Sequence, residues 1–302
     1  MPLNTLIIKL GAMGDVLRTT ALLRVLTGDI YWVTKKECIP LLPVENGLLE
    51  QVIDANDAKK AIKNIIFDLV LCLDDDLEAA SLATLINKTK LVGSFLDPFG
   101  KLTYTDSSCE WFDMGLVSKL GKENADDLKK RNSKTYQEII FGMIGKEFKG
   151  EEYIINFDGK LKRNKKEEVL IGIEGRSDKR WPTKQWSKYG QLDEALRRDG
   201  LRVRFFQQRE KINEYINDLS ECDLIITGDT LALHVALALG IKSVSIFTCT
   251  SPAEIYDYGR MVKIISPLLE RAFYCREYIK EAVDAISLES VYKAVKAMIG
   301  NA

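Results

Sequence analysis

The chain changes abruptly from a strand pattern to a helix pattern around its only histidine. Residues 224–227 form an apolar run that predicts a buried strand, residues 228–230 (Gly-Asp-Thr) predict a tight turn, and residues 231–239 predict a helix. A helix that begins at such a turn presents backbone N–H groups and the positive end of its dipole, which suits a phosphate. The alternative is that the turn only caps the helix and that the histidine is a buried core residue. The candidate residues for binding a phosphate-bearing donor substrate are Asp229, Thr230, Leu231, Ala232 and His234.

A second break of the same kind lies near the N-terminus. Residues 5–10 predict a buried strand, and a loop with two glycines three positions apart leads into a helix. Asp15 would then stand at the carboxyl edge of a sheet, and a simple helix cap at Asp15 is an equally open alternative. The loop has neither the P-loop pattern nor the third glycine of the dinucleotide fingerprint. Its members are Gly11, Ala12, Met13 and Gly14.

A third break follows the strand-like residues 170–173. The loop after them is rich in small and basic residues, which suits an anion, and Pro182 fits the first turn of a helix. Arg176, Ser177 and Lys179 are therefore further candidates for a donor site. The alternative is an ordinary exposed basic loop.

Taken in order, these segments resemble glycosyltransferase family 9, the family of bacterial heptosyltransferases that add heptose from ADP-heptose to lipopolysaccharide core. The shared elements are G-x-x-G-D at residues 11–15, K-x-W-P-x-x-x-W at residues 179–186, and G-D-T followed by His234 and by residues 247–252. The resemblance runs nearly end to end. It implies an α/β fold of the GT-B type, with two Rossmann-like domains facing across a cleft, and an inverting, metal-independent transfer of a sugar to a cell-envelope glycan or glycolipid.

The resemblance also implies roles for single residues. Asp15 is the base that takes the proton of the acceptor hydroxyl, since an aspartate with an ordinary pKa of about 3.9 is ionised at neutral pH. Lys179 matches the lysine before Trp-Pro and would hold the departing diphosphate, aided by N–H groups around Thr230. Asp229 and His234 match positions that line the donor pocket, and residues 11–14 form the loop on the acceptor side.

Some positions depart from the family pattern. Leu231 stands where the family usually has glycine. Residues 174–177 (Glu-Gly-Arg-Ser) stand where the family has a segment rich in threonine or serine, so we expect Arg176 to contact the phosphate in place of a hydroxyl. The segment that carries the ribose-binding acid is short, which leaves Glu210 as the candidate. Three alternatives stay open: a transferase that uses another nucleotide sugar, an epimerase, and a non-catalytic nucleotide-sugar binding protein. Retention of Asp15 and Lys179 favours an enzyme.

Alternating strand and helix patterns predict parallel sheets in α/β layers. We predict an acceptor domain over residues 1–155, a charged linker over 156–168 and a donor domain over 169–285. The resemblance implies that a C-terminal helix in 286–302 packs back towards the first domain. The predicted strands are residues 5–10, 29–33, 51–54, 69–73, 90–94, 169–173, 201–206, 224–227 and 243–247.

Charge and cysteine usage narrow the class of protein. Lys and Arg number 43 against 44 Asp and Glu, so no strong net field favours nucleic acid as a partner. Apolar runs are too short to span a bilayer, which predicts a cytoplasmic enzyme with at most a peripheral association with the inner face of the bacterial inner membrane. Six scattered cysteines and one histidine suggest neither a metal site nor a cofactor. The acidic run at residues 74–76 is expected to be a solvated turn that caps the next helix, rather than a metal site.

Overall fold

A computed structural model describes residues 3–159, 169–177 and 179–300. The chain divides into two compact units, Met1–Asn156 and Phe157–Ala302. The predicted linker at 156–168 lies mostly outside the described residues. Within the described part of the chain, none of the helices combines the length and apolar character that crossing a bilayer requires.

The first unit is built on a six-stranded sheet in the order β3-β2-β1-β4-β5-β6. Strands β1 to β5 pair in parallel, and β6 is antiparallel to β5. The middle of β1 and of β4 reads as a nearly continuous apolar run because a parallel sheet with helices on both faces is buried on both sides. The strands are β1 (Asn4–Ile8), β2 (Asp29–Thr34), β3 (Gln51–Asp54), β4 (Phe67–Cys72), β5 (Lys88–Leu96) and β6 (Leu102–Tyr104). The helices are α1 (Met13–Thr19), α2 (Ala58–Ala61), α3 (Leu77–Leu85), α4 (Cys109–Phe112), α5 (Lys122–Arg131) and α6 (Tyr136–Met143).

The second unit is built on a five-stranded parallel sheet in the order β11-β10-β9-β7-β8. The strand order reverses between β7 and β9, and ligands of such sheets bind outside the carboxyl ends of the strands at that point. The strands are β7 (Leu170–Glu174), β8 (Arg202–Phe205), β9 (Leu224–Gly228), β10 (Lys242–Phe247) and β11 (Met261–Ile265). The helices are α7 (Tyr189–Arg198), α8 (Ile212–Ser220), α9 (Leu231–Ala238), α10 (Leu269–Ala272), α11 (Lys280–Asp284) and α12 (Leu288–Gly300).

The C-terminal helix α12 belongs to the second unit. It lies against α7, β10 and β11, and its buried Val291 and Val295 join the apolar core of that unit. The packing of this helix towards the first domain, which the resemblance implies, stays a prediction. What the structure shows is a mixed α/β fold with one mainly parallel sheet in each unit, as the sequence predicts.

Candidate functional site

The N-terminal loop places Asp15 where the sequence predicts it. Strand β1 ends at Ile8, and α1 begins at Met13, so Asp15 lies in the first turn of α1, beyond the carboxyl end of β1. The alternative in which Asp15 is the helix cap is wrong, because Ala12 occupies the N-cap position and makes no side-chain capping bond. The Asp15 carboxylate is about one-third exposed, at 37%, and is therefore accessible to a ligand.

Arg18 is a neighbour of Asp15 that sequence reasoning missed. Its Nη2 lies 2.8 Å from Oδ1 of Asp15, and its guanidinium stacks 3.9 Å from the centre of the buried Tyr136 ring. Thr19 and Tyr136 share a hydrogen bond of 2.8 Å between their hydroxyls. Helix α6 thus holds Arg18, and Arg18 holds the carboxylate of Asp15. The three-residue spacing of Asp15 and Arg18 on a helix was the available signal.

The acidic run at residues 74–76 divides into two roles. Asp76 caps α3 by accepting a hydrogen bond of 2.8 Å from the Ala79 N–H, as predicted. The expectation that the whole turn is solvated is wrong for Asp74, because its buried carboxylate accepts from Lys9 Nζ and from the Leu10 N–H. Burial opposes a charge on Lys9, but the carboxylate of Asp74 raises the pKa of Lys9 above its ordinary value. Asp74 therefore stabilises the end of β1.

In the second unit, β7 ends at a buried glutamate. Glu174 accepts hydrogen bonds from Nε and Nη2 of Arg176, at 2.9 and 2.6 Å, and from the Tyr215 hydroxyl at 2.6 Å. The two bonds to Arg176 form a bidentate pair, which fixes the guanidinium geometrically. Arg176 therefore compensates a buried carboxylate in this structure, and its predicted contact with phosphate stays a prediction.

The basic loop continues from Arg176 at the carboxyl end of β7. Ser177 is half-buried, Lys179 is exposed in a turn, and Asp178 lies outside the described residues. Trp181 packs edge-on against Tyr274, with ring centres 5.5 Å apart. The packing of Trp181 thus holds the backbone two residues after Lys179, while the side chain of Lys179 is exposed to solvent.

The Gly-Asp-Thr turn lies at the carboxyl end of β9, next to the strand-order reversal. Thr230 occupies the N-cap position of α9 but makes no side-chain capping bond, and its hydroxyl instead pairs with that of Thr227 at 2.9 Å. His234 is buried, as the core alternative expects, and its Nε2 also lies 3.8 Å from Oδ1 of Asp229. The structure therefore brings Asp229, Thr230 and His234 together at the first turn of α9.

Lys184 also reaches this turn, and sequence reasoning assigned it no role. Its Nζ donates to the backbone oxygen of Asp229 at 2.8 Å and to Oδ2 of the same residue at 3.2 Å. Both side chains are largely buried, at 15% and 17% exposure. Lys184 lies in the short helical turn Pro182–Lys184, and nothing in the sequence indicates its contact with a residue 45 positions away.

The other predicted donor residues are placed less directly. Leu231 is half-buried, and Ala232 is fully buried, so Ala232 can reach a ligand only through its backbone. Glu210 is exposed at a bend after β8. A cavity of about 530 Å³ opens beside the ends of β7 and β8, and Glu210 does not line it. Its lining includes Glu174, Arg176, Trp186, Phe205, Phe206 and Tyr278.

Among the described residues, no group of three or more His, Cys, Asp and Glu side chains is arranged to hold a metal ion. Metal independence and the absence of a cofactor stay predictions.

A family model matches part of the second unit. Residues 209–282 match the family described as glycosyltransferase family 9 (heptosyltransferase). This range contains Glu210 and the whole turn from Asp229 to His234, but neither Asp15 nor Lys179. No curated protein matches the chain.

Solved structures resemble the chain over nearly its whole length. A glycosyl transferase of family 9 from Veillonella parvula is similar with a TM-score of 0.70 and 16% identity, over 99% of this chain and 97% of that chain. ADP-heptose lps heptosyltransferase II of E. coli gives 0.66 and 13%, over 99% of both chains. The E. coli heptosyltransferase WaaC with ADP gives 0.65 and 14%, over 98% of this chain and 100% of that one. These matches confirm the GT-B type of fold. Together with the family match over residues 209–282, they bear out the predicted resemblance to glycosyltransferase family 9 and support a glycosyltransferase.

Proposed function

We propose that the chain is an inverting, metal-independent glycosyltransferase that moves heptose from ADP-heptose to lipopolysaccharide core or another cell-envelope glycan. The observation that carries the proposal is the cluster of Asp229, His234 and Lys184 at the first turn of α9. Asp229 and His234 lie inside the matched family segment. Similar E. coli structures are of WaaC with ADP and with ADP-2-deoxy-2-fluoro heptose, which supports a nucleotide sugar as the donor.

The chemistry assigns one role to each site. Asp15 takes the proton of the acceptor hydroxyl as its oxygen bonds to the anomeric carbon. The bond from that carbon to the diphosphate breaks with its electron pair on the leaving oxygen. The N–H groups at the start of α9 and the exposed Lys179 supply positive potential to this diphosphate. Attack and departure on opposite faces of the carbon invert its configuration.

The identity of the donor is tested by binding and product analysis. We expect ADP and ADP-heptose to raise the melting temperature more than UDP, GDP or their sugars do, because ligand binding to the folded state alone stabilises it. Mass spectrometry of cell-envelope extracts incubated with ADP-heptose then detects the glycosylated product. Stabilisation by UDP or GDP sugars alone would favour the transferase or epimerase with another donor. No response to any nucleotide would refute the proposal.

Leu231 is the one observation that favours a non-catalytic nucleotide-sugar binding protein. Its half-buried side chain stands at the start of α9, where the family has glycine. Replacement of Leu231 with glycine distinguishes the two functions. A binding protein gains affinity for the nucleotide without forming product, whereas the transferase forms product before and after the change.

Replacing Lys179 with alanine is expected to weaken binding of ADP by about tenfold while binding of adenosine is unchanged. A lysine facing a diphosphate acts as a point charge, so it contributes only when the phosphates are present. Calorimetric titration with both ligands measures the difference. Lys293→Ala on α12, another exposed lysine, serves as the control. Equal ADP affinity in the wild type and Lys179→Ala would show that Lys179 does not contact the diphosphate and belongs to an ordinary exposed loop.

Transfer is expected to proceed at an unchanged rate in excess EDTA. The ammonium group of Lys179 and the N-terminus of α9 supply the positive potential that a metal ion supplies in metal-dependent transferases. The measurement is the initial rate with EDTA and after addition of magnesium or manganese. A rate that falls with the chelator and returns with the metal contradicts metal independence and directs attention to the exposed Asp75 and Asp76.

A further inference from the structure

We propose that Lys184 is a positioning residue that fixes Asp229 and the first turn of α9 in the geometry that donor binding requires. The part that concerns the donor rests on the proposed function. The part that concerns the turn does not. Neither the family resemblance nor the motif that includes Trp181 and Pro182 assigns a role to this lysine.

The ammonium group of Lys184 donates two hydrogen bonds to Asp229. One hydrogen bond, of 2.8 Å, goes to the backbone oxygen, and a second, of 3.2 Å, goes to Oδ2 of the carboxylate. A charged donor makes stronger hydrogen bonds than a neutral one, and low exposure limits competition from water. The backbone bond fixes the peptide that precedes the N-cap of α9. The side-chain bond sets the direction of the carboxylate.

The segment that carries Lys184 is itself held firmly. The neighbouring Thr183 is fully buried, its hydroxyl donates to the Glu277 oxygen at 3.0 Å, and it accepts from the Ile279 N–H at 2.9 Å. The Thr248 hydroxyl donates to the backbone oxygen of Thr183. Three hydrogen bonds to one buried residue restrict the backbone of the short turn. The Cα of Lys184, from which its side chain extends, is therefore held in place.

The backbone of Lys184 also lies against the Gly-Asp-Thr turn. A Cβ added to Gly228 would stand 3.2 Å from the Lys184 backbone oxygen and 3.5 Å from that of Ile246. Such a contact is tighter than most real Cβ contacts, so the glycine lets the two turns approach closely. Lys184 therefore aligns the turn through its backbone as well as through its side chain.

The test measures the order of the turn without any ligand. The N–H groups of Leu233 and His234 both donate to the Thr230 oxygen, at 3.1 and 3.5 Å, and so report on the first turn of α9. Amide hydrogen exchange reports local opening of such bonds. In Lys184→Met we expect these two amides to exchange about tenfold faster than in the wild type. The amides of β9 should be unchanged.

Two further variants make the measurement specific. Lys188→Met is the matched control, since Lys188 Nζ donates to the Asp284 and Ile286 oxygens at 2.9 and 2.8 Å and does not contact Asp229. It should leave exchange at Leu233 unchanged. Lys184→Arg keeps the charge and the donors, and we expect exchange close to the wild-type rate. It keeps the proposal testable if the methionine variant does not fold.

ADP binding then tests the role in the site. Calorimetry with ADP and ADP-heptose should show about a tenfold loss of affinity in Lys184→Met. The double variant with Asp229→Asn should lose little more than Asp229→Asn alone, because the lysine acts through the aspartate. An additive loss with unchanged exchange would overturn the proposal and make Lys184 a direct contact of the diphosphate.

The two proposals fail in different ways. Unchanged exchange at Leu233 and His234 in Lys184→Met overturns the positioning role, whatever the wild type binds. A wild type that binds no nucleotide refutes the proposed function, while the exchange rates still decide whether Lys184 orders the turn. Faster exchange with unaltered ADP-heptose affinity overturns the link between the turn and the donor.

Discussion

Replacing Asp15 with asparagine is expected to lower the rate of sugar transfer by about 10²–10⁴-fold, the usual contribution of a positioned general base. The amide keeps the shape of the side chain but cannot accept the proton of the acceptor hydroxyl. Because the predicted diphosphate contacts lie in the second unit, the affinity for ADP should stay within about twofold of wild type. Initial rates with ADP-heptose and calorimetry with ADP measure the two effects separately.

The control for Asp15 is an aspartate of the same unit whose ion pair lies on an exposed helix face. Asp126→Asn on α5 removes a contact with Lys122 on an exposed face and should leave transfer unchanged. Arg18 loses one partner in Asp15→Asn but keeps its stacking on Tyr136, so the melting temperature should change little. Equal turnover in Asp15→Asn and the wild type would remove Asp15 from the mechanism.

Replacing Asp74 with alanine is expected to lower the free energy of unfolding of the first unit by about 3–5 kcal/mol. The change leaves the buried ammonium of Lys9 without its carboxylate, and the Leu10 N–H loses its acceptor. An uncompensated buried charge costs far more than the pair itself contributes. Urea-induced unfolding of the wild type and the variant measures the difference.

Two companion variants separate the buried charge from the loss of a cap. Asp76→Ala removes only the cap of α3 and should cost about 1 kcal/mol. The double variant Lys9→Met with Asp74→Leu replaces both charges by apolar groups and should recover most of the lost stability. If Asp74→Ala costs no more than Asp76→Ala, the buried pair does not stabilise the end of β1.

The strand pattern was well predicted because parallel strands leave a strong signal. Strands β1, β4 and β9 are apolar on both faces, and each prediction falls on the observed strand within a few residues. The two strands that were missed lie at the edges of their sheets. Strand β6 has three residues and pairs antiparallel with β5, and β11 keeps only Met261 buried. Edge strands bury less surface, so their sequences are less constrained.

The positions of single site residues were predicted better than their partners. Glycine turns after apolar runs locate Asp15 and Asp229 without knowledge of the sheet. The pairs Lys9–Asp74 and Lys184–Asp229 join residues 65 and 45 positions apart, so they depend on which strands are neighbours. Sequence spacing carries no signal for such pairs, and a solvated acidic turn was the natural interpretation of Asp74.

The buried hydroxyl of Thr183 bears on any attempt to engineer the donor preference. This hydroxyl bonds to residues 277 and 279, and the backbone oxygen of Thr183 accepts from the Thr248 hydroxyl. Together these bonds tie the turn before α7 to two later loops of the second unit. A chimera that imports the 179–186 segment from a relative without those loops would lose the hydrogen bonds between this segment and the loops at residues 248 and 277–279. We expect functional grafts to require exchange of the three segments together, with glycine retained at 228, where the imported backbone must fit.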